Sequence, residues 1–201
     1  MNVLVVNNAE PEHNGFNVPL HRALEKVEGI RVDHVEYRTP FTADQLARRY
    51  GAVVLSGVPL DYPLDTIYDR AGRLDWLHDS KVPTLGICIG HQSMGLAFGA
   101  ELRSAVEAES GTITINRVKN TQDDILAGFG ASLTAEALHR YSISVPTEFE
   151  LIARSDVCES QIIKRYDRSQ YGMQFHPELS RDGHRLLGNF MAIAQQHQQQ
   201  Q

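Results

Sequence analysis

Short apolar runs recur through the first hundred residues and predict strands. Residues 3–6, 52–55 and 82–87 are almost continuously apolar, which is typical of strands buried on both faces of a parallel sheet. A further strand is indicated by Val32, Val35 and Tyr37. The spacing of these runs leaves room for one helix or loop between each pair, so a sheet of parallel strands is expected.

The segments between these runs show helical periodicity. Helices are predicted over residues 16–27, from residue 42, over 70–78 and over 91–98, while residues 10–15 and 60–69 are interpreted as irregular. Strand and helix therefore alternate four times. This pattern predicts an α/β fold, a mostly parallel open sheet with helices on both faces.

The second half of the chain changes character. Residues 112–118 alternate apolar and polar positions, as a half-exposed strand does, and 150–153, 161–164 and 171–175 are further strand candidates. Residues 133–145 are ambiguous, and residues 182–194 form a closing amphipathic helix. We expect a single domain over residues 1–194, followed by a Gln-rich, low-complexity and frayed tail over 195–201.

Composition narrows the functional classes. The 201 residues, 42% of them hydrophobic, suffice for one well-filled core. A net charge of -6 without a basic run argues against a nucleic-acid partner, and no apolar stretch approaches the roughly 20 residues that span a bilayer. With no secretory leader at the start and only Cys88 and Cys158, the sequence predicts a cytoplasmic location.

The sequence G-I-C-I-G at residues 86–90 lies where a predicted strand passes into a predicted helix. A cysteine flanked by glycines at such a junction is typical of a nucleophile elbow, because side chains at Gly86 or Gly90 would collide with neighbouring backbone. The helix N-terminus favours the thiolate form of Cys88. The alternative is a buried structural cysteine beside a tight turn.

Two further turns follow predicted strands. His176 comes after the strand at 171–175, and Glu178 stands two residues on, where its carboxylate can orient the imidazole as a base for Cys88. The alternative is a surface His-Pro-Glu turn. The turn at residues 56–58 exposes backbone N–H groups, so those of Val58 and Ile89 are candidates for an oxyanion hole; an ordinary strand-to-loop turn is the alternative.

The sequence G-I-C-I-G-H-Q at 86–92, together with Q-F-H-P-E at 174–178, resembles the paired signature of class I (triad) glutamine amidotransferases. This resemblance covers nearly the whole chain and implies their flavodoxin-like fold. It also implies a catalytic triad in which Cys88 attacks the side-chain amide of glutamine, His176 is the general acid and base, and Glu178 orients His176.

The same resemblance implies a glutamine pocket. Gly57, Ile89 and Gln92 correspond to pocket positions, and the loop at 139–145 resembles the Tyr-His-Ser-Leu loop of anthranilate synthase glutaminase subunits, with Ser142 and Ile143 on its last two positions. Two departures stand out: Val58 occupies a position that is usually glycine, and Tyr141 replaces the histidine of the loop.

Residues 16–24, 153–159 and 171–178 look most like the stand-alone glutaminase subunit of archaeal-type GMP synthase. That resemblance implies an ATP-pyrophosphatase (synthetase) partner that carries ATP and Mg²⁺, and ammonia delivery for GMP synthesis from XMP. The motifs alone imply no metal in this chain, because Cys88, His176 and Glu178 are already used in the triad, and no cofactor is expected in it. The segment at 140–143 departs from the Ser-His-x-Asp sequence of that group. The alternatives are the glutaminase of another synthase of anthranilate synthase type, a stand-alone γ-glutamyl hydrolase, and a non-enzymatic binding member.

Overall fold

The computed structural model describes residues 1–58, 63–119 and 121–200, with only the backbone at residues 11, 12, 14 and 105–107. Five strands form a parallel half-sheet: β1 (Asn2–Asn7), β2 (Arg31–Glu36), β3 (Ala52–Leu55), β4 (Thr84–Ile87) and β9 (Gln170–Met173). Four strands continue it in antiparallel fashion: β5 (Leu102–Arg117), β6 (Ser132–Ile143), β7 (Phe149–Arg154) and β8 (Ile162–Arg165). The order across the sheet is β2-β1-β3-β4-β9-β8-β7-β5-β6.

Helices cover both faces of the parallel half, as predicted. They are α1 (Val18–Glu25), α2 (Ala43–Arg49), α3 (Asp65–Ala71), α4 (Trp76–Asp79), α5 (Ile89–Ala97) and α6 (Arg181–Gln199). Alternate residues of β1 show the two layers. Val3 and Val5 pack in one buried cluster with α1 and α6, whereas Leu4 and Val6 pack in a second with α2, α4 and α5. No helix of the described chain is long and apolar enough to cross a membrane.

Several predicted boundaries were wrong. The helix predicted over 16–27 begins at Val18, because Pro19 fixes its first turn, and residues 11–17 form a 3₁₀ helix instead of an irregular loop. The helix predicted over 70–78 is two helices, α3 and α4, separated around Gly72, and α3 includes residues that were predicted to be irregular. Residues 59–62 of that connection lie outside the described residues.

The C-terminal glutamines also differ from prediction. Helix α6 continues to Gln199, so most of the predicted frayed tail is helical, and Gln201 lies outside the described residues. Glutamine is a good helix former, and the sequence places no Gly or Pro there to end the helix.

Close packing between β3 and α5 requires a glycine and leads to a stability prediction. A Cβ on Gly90 would lie 2.4 Å from the Leu55 carbonyl oxygen, which is strand backbone and cannot move alone. Gly90→Ala is therefore expected to lower the free energy of unfolding by about 3 kcal/mol, measured by urea denaturation. Gly188→Ala is the matched control, since a Cβ there meets no atom within 4 Å in α6, and it should be neutral or stabilising. Equal stability of both variants would contradict this packing.

Candidate active site

Cys88 stands in a strained turn between β4 and α5. Its φ of 51° and ψ of -109° make it the one non-glycine residue with positive φ in the described chain. Its N–H donates to the carbonyl oxygen of Met173 at 2.8 Å, and its own carbonyl accepts the N–H of Gln92 at 2.9 Å. A Cβ on Gly86 would lie 2.7 Å from the carbonyl oxygen of Gly90, so the turn demands glycine. Strain held by such surroundings is typical of functional residues.

His176 follows strand β9, which pairs with β4. The pairing of β4 with β9 sets Ile87 opposite Met173, and three residues later His176 donates its N–H to the carbonyl of Glu136 at 2.8 Å. The Nδ1 atom of His176 lies 2.8 Å from Oε1 of Glu178, and both side chains are buried. The Phe16 ring meets the His176 ring edge-on, with centroids 5.5 Å apart. The predicted residues Cys88, His176 and Glu178 thus occupy adjacent strand ends.

Charge around His176 favours its protonated form. Burial alone would lower the pKa of His176, but the negative charges of Glu178 and Cys88 outweigh burial and raise that pKa. Glu178 lies against Nδ1 of the ring, whereas the Nε2 atom has no hydrogen-bond partner among the described residues and Cys88 is the second charge that acts on the ring. This arrangement suits a thiolate–imidazolium pair.

The raised pKa of His176 predicts how stability depends on pH. A raised folded-state pKa contributes stability that is complete below the unfolded value of 6.5 and is lost as the pH rises through the folded value. Glu178→Gln should lower the free energy of unfolding by about 2 kcal/mol near pH 6, less than the ~3–5 kcal/mol for breaking a buried ion pair because His176 can lose its proton. The difference from the unsubstituted protein should shrink toward alkaline pH in chemical denaturation. A difference that grows with pH would contradict the assignment.

The turn after β3 is fixed by buried polar contacts. The Ser56 hydroxyl accepts the N–H of Asn8 at 3.0 Å, and the Asn8 side chain donates to the Ser56 carbonyl at 2.7 Å. Arg70, itself buried, donates its Nε–H to the Asn8 carbonyl at 3.1 Å. The ends of β1 and β3 are therefore joined, and the following turn has a defined position.

Gly57 lies directly against the catalytic pair. A Cβ on Gly57 would lie 2.6 Å from Cε1 of His176 and 3.5 Å from Cβ of Cys88. The next residue, Val58, is buried in a small apolar cluster with Ile67 and Ile89, and its φ is not in the left-handed region. The structure therefore brings Gly57, Val58 and Ile89 together around Cys88 without the conformation that a β-branched residue resists.

Strand β6 forms another wall of the site, and the sequence did not reveal it. The Leu138 carbonyl oxygen lies 3.9 Å from the Cys88 sulfur. Gln92, a predicted pocket residue, donates its side-chain N–H groups to the Tyr141 carbonyl at 2.7 Å and to Oε1 of Gln174 at 3.1 Å. Backbone carbonyls carry no sequence signal, and the only hint of Gln174 was its place in the Q-F-H-P-E motif.

The other predicted pocket positions lie farther along β6. Ser142 pairs with Arg103 in the β5–β6 ladder. Ile143 is 1% exposed in the hydrophobic core, and its Cδ1 fills the space beside Gly95. The Ile143 side chain therefore does not line the pocket, and a substrate-binding role for this residue, which could reach the pocket only through its backbone, stays a prediction. A pocket role for Ser142 stays a prediction.

A second buried polar group lies in the antiparallel half. Ligand atoms of Glu109, His139 and Cys158 lie within 4.8 Å of one another. Burial, with a smaller effect from the charges of Glu109 and Glu159, raises the pKa of the Cys158 thiol to about 11, which keeps it protonated near neutral pH. This thiol therefore lacks the environment of a nucleophile.

Comparisons with known proteins agree with this geometry. The profile of the family "Glutamine amidotransferase class-I" matches residues 12–194. A protein of Methanothermobacter thermautotrophicus, named as one subunit of glutamine-hydrolyzing GMP synthase, is 33% identical over 195 residues, covering 95% of this chain and 97% of that protein. The Methanosarcina barkeri protein of the same name is 32% identical, with 98% of both chains covered.

Solved structures show the same fold. A Thermoplasma acidophilum crystal structure, of a candidate GMP synthase subunit, matches with a TM-score of 0.85 and 26% identity, covering 99% of this chain and 96% of that one. A glutamine amidotransferase from Thermotoga maritima matches in fold with a TM-score of 0.69 and 17% identity, covering 100% and 84%. With a cysteine elbow, a buried His–Glu pair and a family match across most of its length, this chain belongs to the class I glutamine amidotransferases.

Proposed function

We propose that this chain is the glutaminase subunit of a GMP synthase, which hydrolyses glutamine and delivers ammonia to a synthetase subunit that aminates XMP. The observation that carries the proposal is the 33% identity, along 95% of the chain, to a protein named as one subunit of glutamine-hydrolyzing GMP synthase. The placement of Cys88 beside His176 supports the glutaminase step, because a thiolate next to a protonated base is the arrangement that acyl transfer from an amide needs.

The first half of the reaction would form a thioester. The Cys88 thiolate adds to the side-chain carbonyl carbon of glutamine, and the N–H groups of Val58 and Ile89 stabilise the oxyanion. The imidazolium of His176 gives its proton to the leaving nitrogen. The C–N bond breaks, ammonia departs, and the glutamyl group remains on sulfur. Glu178, 2.8 Å from Nδ1, holds the ring in orientation throughout.

The second half would restore the enzyme. His176, now neutral, takes a proton from water as that water attacks the thioester. The C–S bond breaks, glutamate leaves, and the Cys88 thiolate and His176 imidazolium form again. The described residues that do this chemistry are side chains and backbone N–H groups of one chain. We assign ATP and Mg²⁺ to the synthetase partner, which would aminate XMP.

The partner and the compartment are part of the same proposal. Ammonia is useful as a nucleophile only before it is protonated, so the synthetase should dock where Cys88 releases it. Both cysteines are free thiols, and the cytoplasm is the compartment that would keep the nucleophile reduced.

The test is to measure glutamate release from glutamine, alone and with an ATP-pyrophosphatase subunit, ATP and XMP. We expect turnover to rise at least about tenfold when XMP and ATP are both present, together with GMP formation. Stimulation by a chorismate-using synthase instead would identify an anthranilate synthase type of glutaminase. Unstimulated hydrolysis of other γ-glutamyl amides, without any partner effect, would overturn the proposal in favour of a stand-alone hydrolase.

A further inference from the structure

A closed ring of buried hydrogen bonds connects the active site with the antiparallel half of the sheet. Oε2 of Glu109 lies 2.7 Å from Nε2 of His139, and Nδ1 of His139 lies 3.2 Å from the Tyr141 carbonyl oxygen. That oxygen also accepts from Gln92, which in turn donates to Gln174.

The ring closes through Gln161. The N–H of Gln174 donates to the Gln161 carbonyl at 3.0 Å, and the Gln161 side chain donates to Oε2 of Glu109 at 2.7 Å. Glu109, His139, Gln92, Gln161 and Gln174 are each at most 7% exposed. We call this set, with the Tyr141 carbonyl, the Glu109–His139 network.

The network lies beside an interruption of the β5–β6 ladder. Strand β5 pairs Ser104 with Tyr141 and resumes by pairing Glu109 with His139, so β5 carries extra residues at this point. Backbone pairing therefore does not hold residues 139–141 continuously. The hydrogen bond between the His139 and Glu109 side chains adds a second connection at the backbone pair that borders this interruption, and so strengthens the attachment of β6 to β5 there.

Strand β6 contacts three segments of the site. The Glu136 carbonyl holds the His176 N–H, the Leu138 carbonyl lies 3.9 Å from the Cys88 sulfur, and the Tyr141 carbonyl holds Gln92 of α5. A shift of residues 138–141 would move the wall that faces the sulfur. Misplacement of about 1 Å around a reacting centre can cost about a hundredfold in rate.

The hydrogen bonds around Glu109 favour its charged form. Burial alone would raise the pKa of Glu109, but hydrogen bonds from His139, Ser155 and Gln161 outweigh it and lower that pKa. Both ring nitrogens of His139 lie within hydrogen-bond distance of an oxygen atom, Nε2 near the Glu109 carboxylate and Nδ1 near the Tyr141 carbonyl. Burial first, and then the charge of His139, lowers the pKa of the neighbouring His91 to about 3.

A metal ion is not needed to explain the cluster with Cys158. Oε1 of Glu109 accepts the Ser155 hydroxyl at 2.7 Å, and Oε2 accepts from His139 and Gln161. Both carboxylate oxygens are therefore satisfied by the protein itself, and the Cys158 thiol stays protonated.

We propose that Glu109 and His139 are positioning residues that fix residues 138–141 of β6 as the glutamine-facing wall, and so set the affinity for glutamine. This inference rests on the proposed glutaminase function. It extends the site beyond the triad to a pair that lies 30 residues apart in sequence, in the antiparallel half.

The test compares variants that cut the network at different links. Glu109→Gln places an amide N–H against donors from His139, Ser155 or Gln161. His139→Gln keeps a donor for Glu109 but loses the contact with Tyr141, whereas His139→Asn can place its amide nitrogen near the position of Nδ1 and keep that contact. Ile152→Val is the matched control, since it removes a buried methyl group from the same half without touching the network.

The quantities to measure are KM and kcat for glutamate release, with the synthetase partner present, and the melting temperature of each variant. Glu109→Gln and His139→Asn should raise KM for glutamine about tenfold or more with a smaller change in kcat, and His139→Gln, which keeps a donor for Glu109, should show a smaller rise in KM. Ile152→Val should lower the melting temperature comparably and leave KM unchanged.

A second measurement distinguishes an effect on the glutamine pocket from an effect on the reactivity of the Cys88 sulfur. A chloroketone analogue of glutamine should alkylate Cys88 at least about tenfold more slowly in Glu109→Gln, while iodoacetamide, which does not need the pocket, should react at a similar rate. If KM and chloroketone reactivity stay at their normal values in both Glu109→Gln and His139→Asn, the inference is overturned. If the unsubstituted protein itself releases no glutamate, the proposed function fails instead.

Discussion

Cys88→Ala is expected to reduce glutamate release to background, a loss of at least about 10⁴-fold, because no other group can form the thioester. The fold should survive, since the side chain is small and the turn is held by backbone contacts to Met173 and Gln92. The measurement is glutamate production with the partner present, with circular dichroism to confirm folding.

Cys158 serves as the internal control for that experiment. Its pKa is raised by burial, and a chloroketone analogue of glutamine should therefore modify the peptide that contains Cys88 and leave Cys158 unmodified. Intact-mass and peptide analysis would show one adduct. Retained turnover in Cys88→Ala, or an adduct on Cys158 alone, would remove the triad mechanism altogether.

Gly57→Ala should produce the second largest effect, a fall in kcat/KM of about a hundredfold or more. The added Cβ would lie 2.6 Å from Cε1 of His176, and the ring has little room to retreat. Phe16 packs against the ring, and Glu178 holds Nδ1. We expect the base to be displaced from the sulfur, with an overpacking cost of about 1–3 kcal/mol in stability.

Gly15→Ala is the control for this substitution. Gly15 lies in the 3₁₀ helix beside Phe16, and a Cβ there meets no atom within 4 Å. It should leave kcat/KM within about twofold of the unsubstituted value. Full activity in both Gly57→Ala and Gly15→Ala would contradict the close contact between residue 57 and the His176 ring.

The sequence revealed the parts of the fold that local chemistry determines. Strands β1, β3 and β4 are continuous apolar runs because helices cover both faces, and the elbow at Cys88 carries its glycines on either side. His176 and Glu178 were found because the orienting carboxylate is two residues from the base. Each of these signals lies within one turn or strand.

The antiparallel half was harder to predict because its contacts are distant in sequence. Strand β6 was ambiguous, since its inward positions are largely small residues such as Ala135 and Ala137, which have low β-propensity. The Glu109–His139 pair depends on the register of β5 against β6, which brings together residues far apart in the sequence and which no local pattern encodes. Ile143 was assigned by the resemblance of a short loop, whereas its side chain packs in the core beside Gly95, which is far away in the sequence.

The hydrogen bond from the Cys88 N–H to the Met173 carbonyl has a consequence for regulation. Cys88 and His176 follow the neighbouring paired strands β4 and β9. The distance between the sulfur and the imidazole is therefore fixed by the pairing of these strands. Binding of a synthetase could change that distance only by disrupting the pairing of β4 with β9 in the core of the sheet. It must instead act on the surrounding backbone, at Gly57 and Val58 or along β6. Active and resting forms of the enzyme should therefore superimpose at the triad and differ in what encloses it.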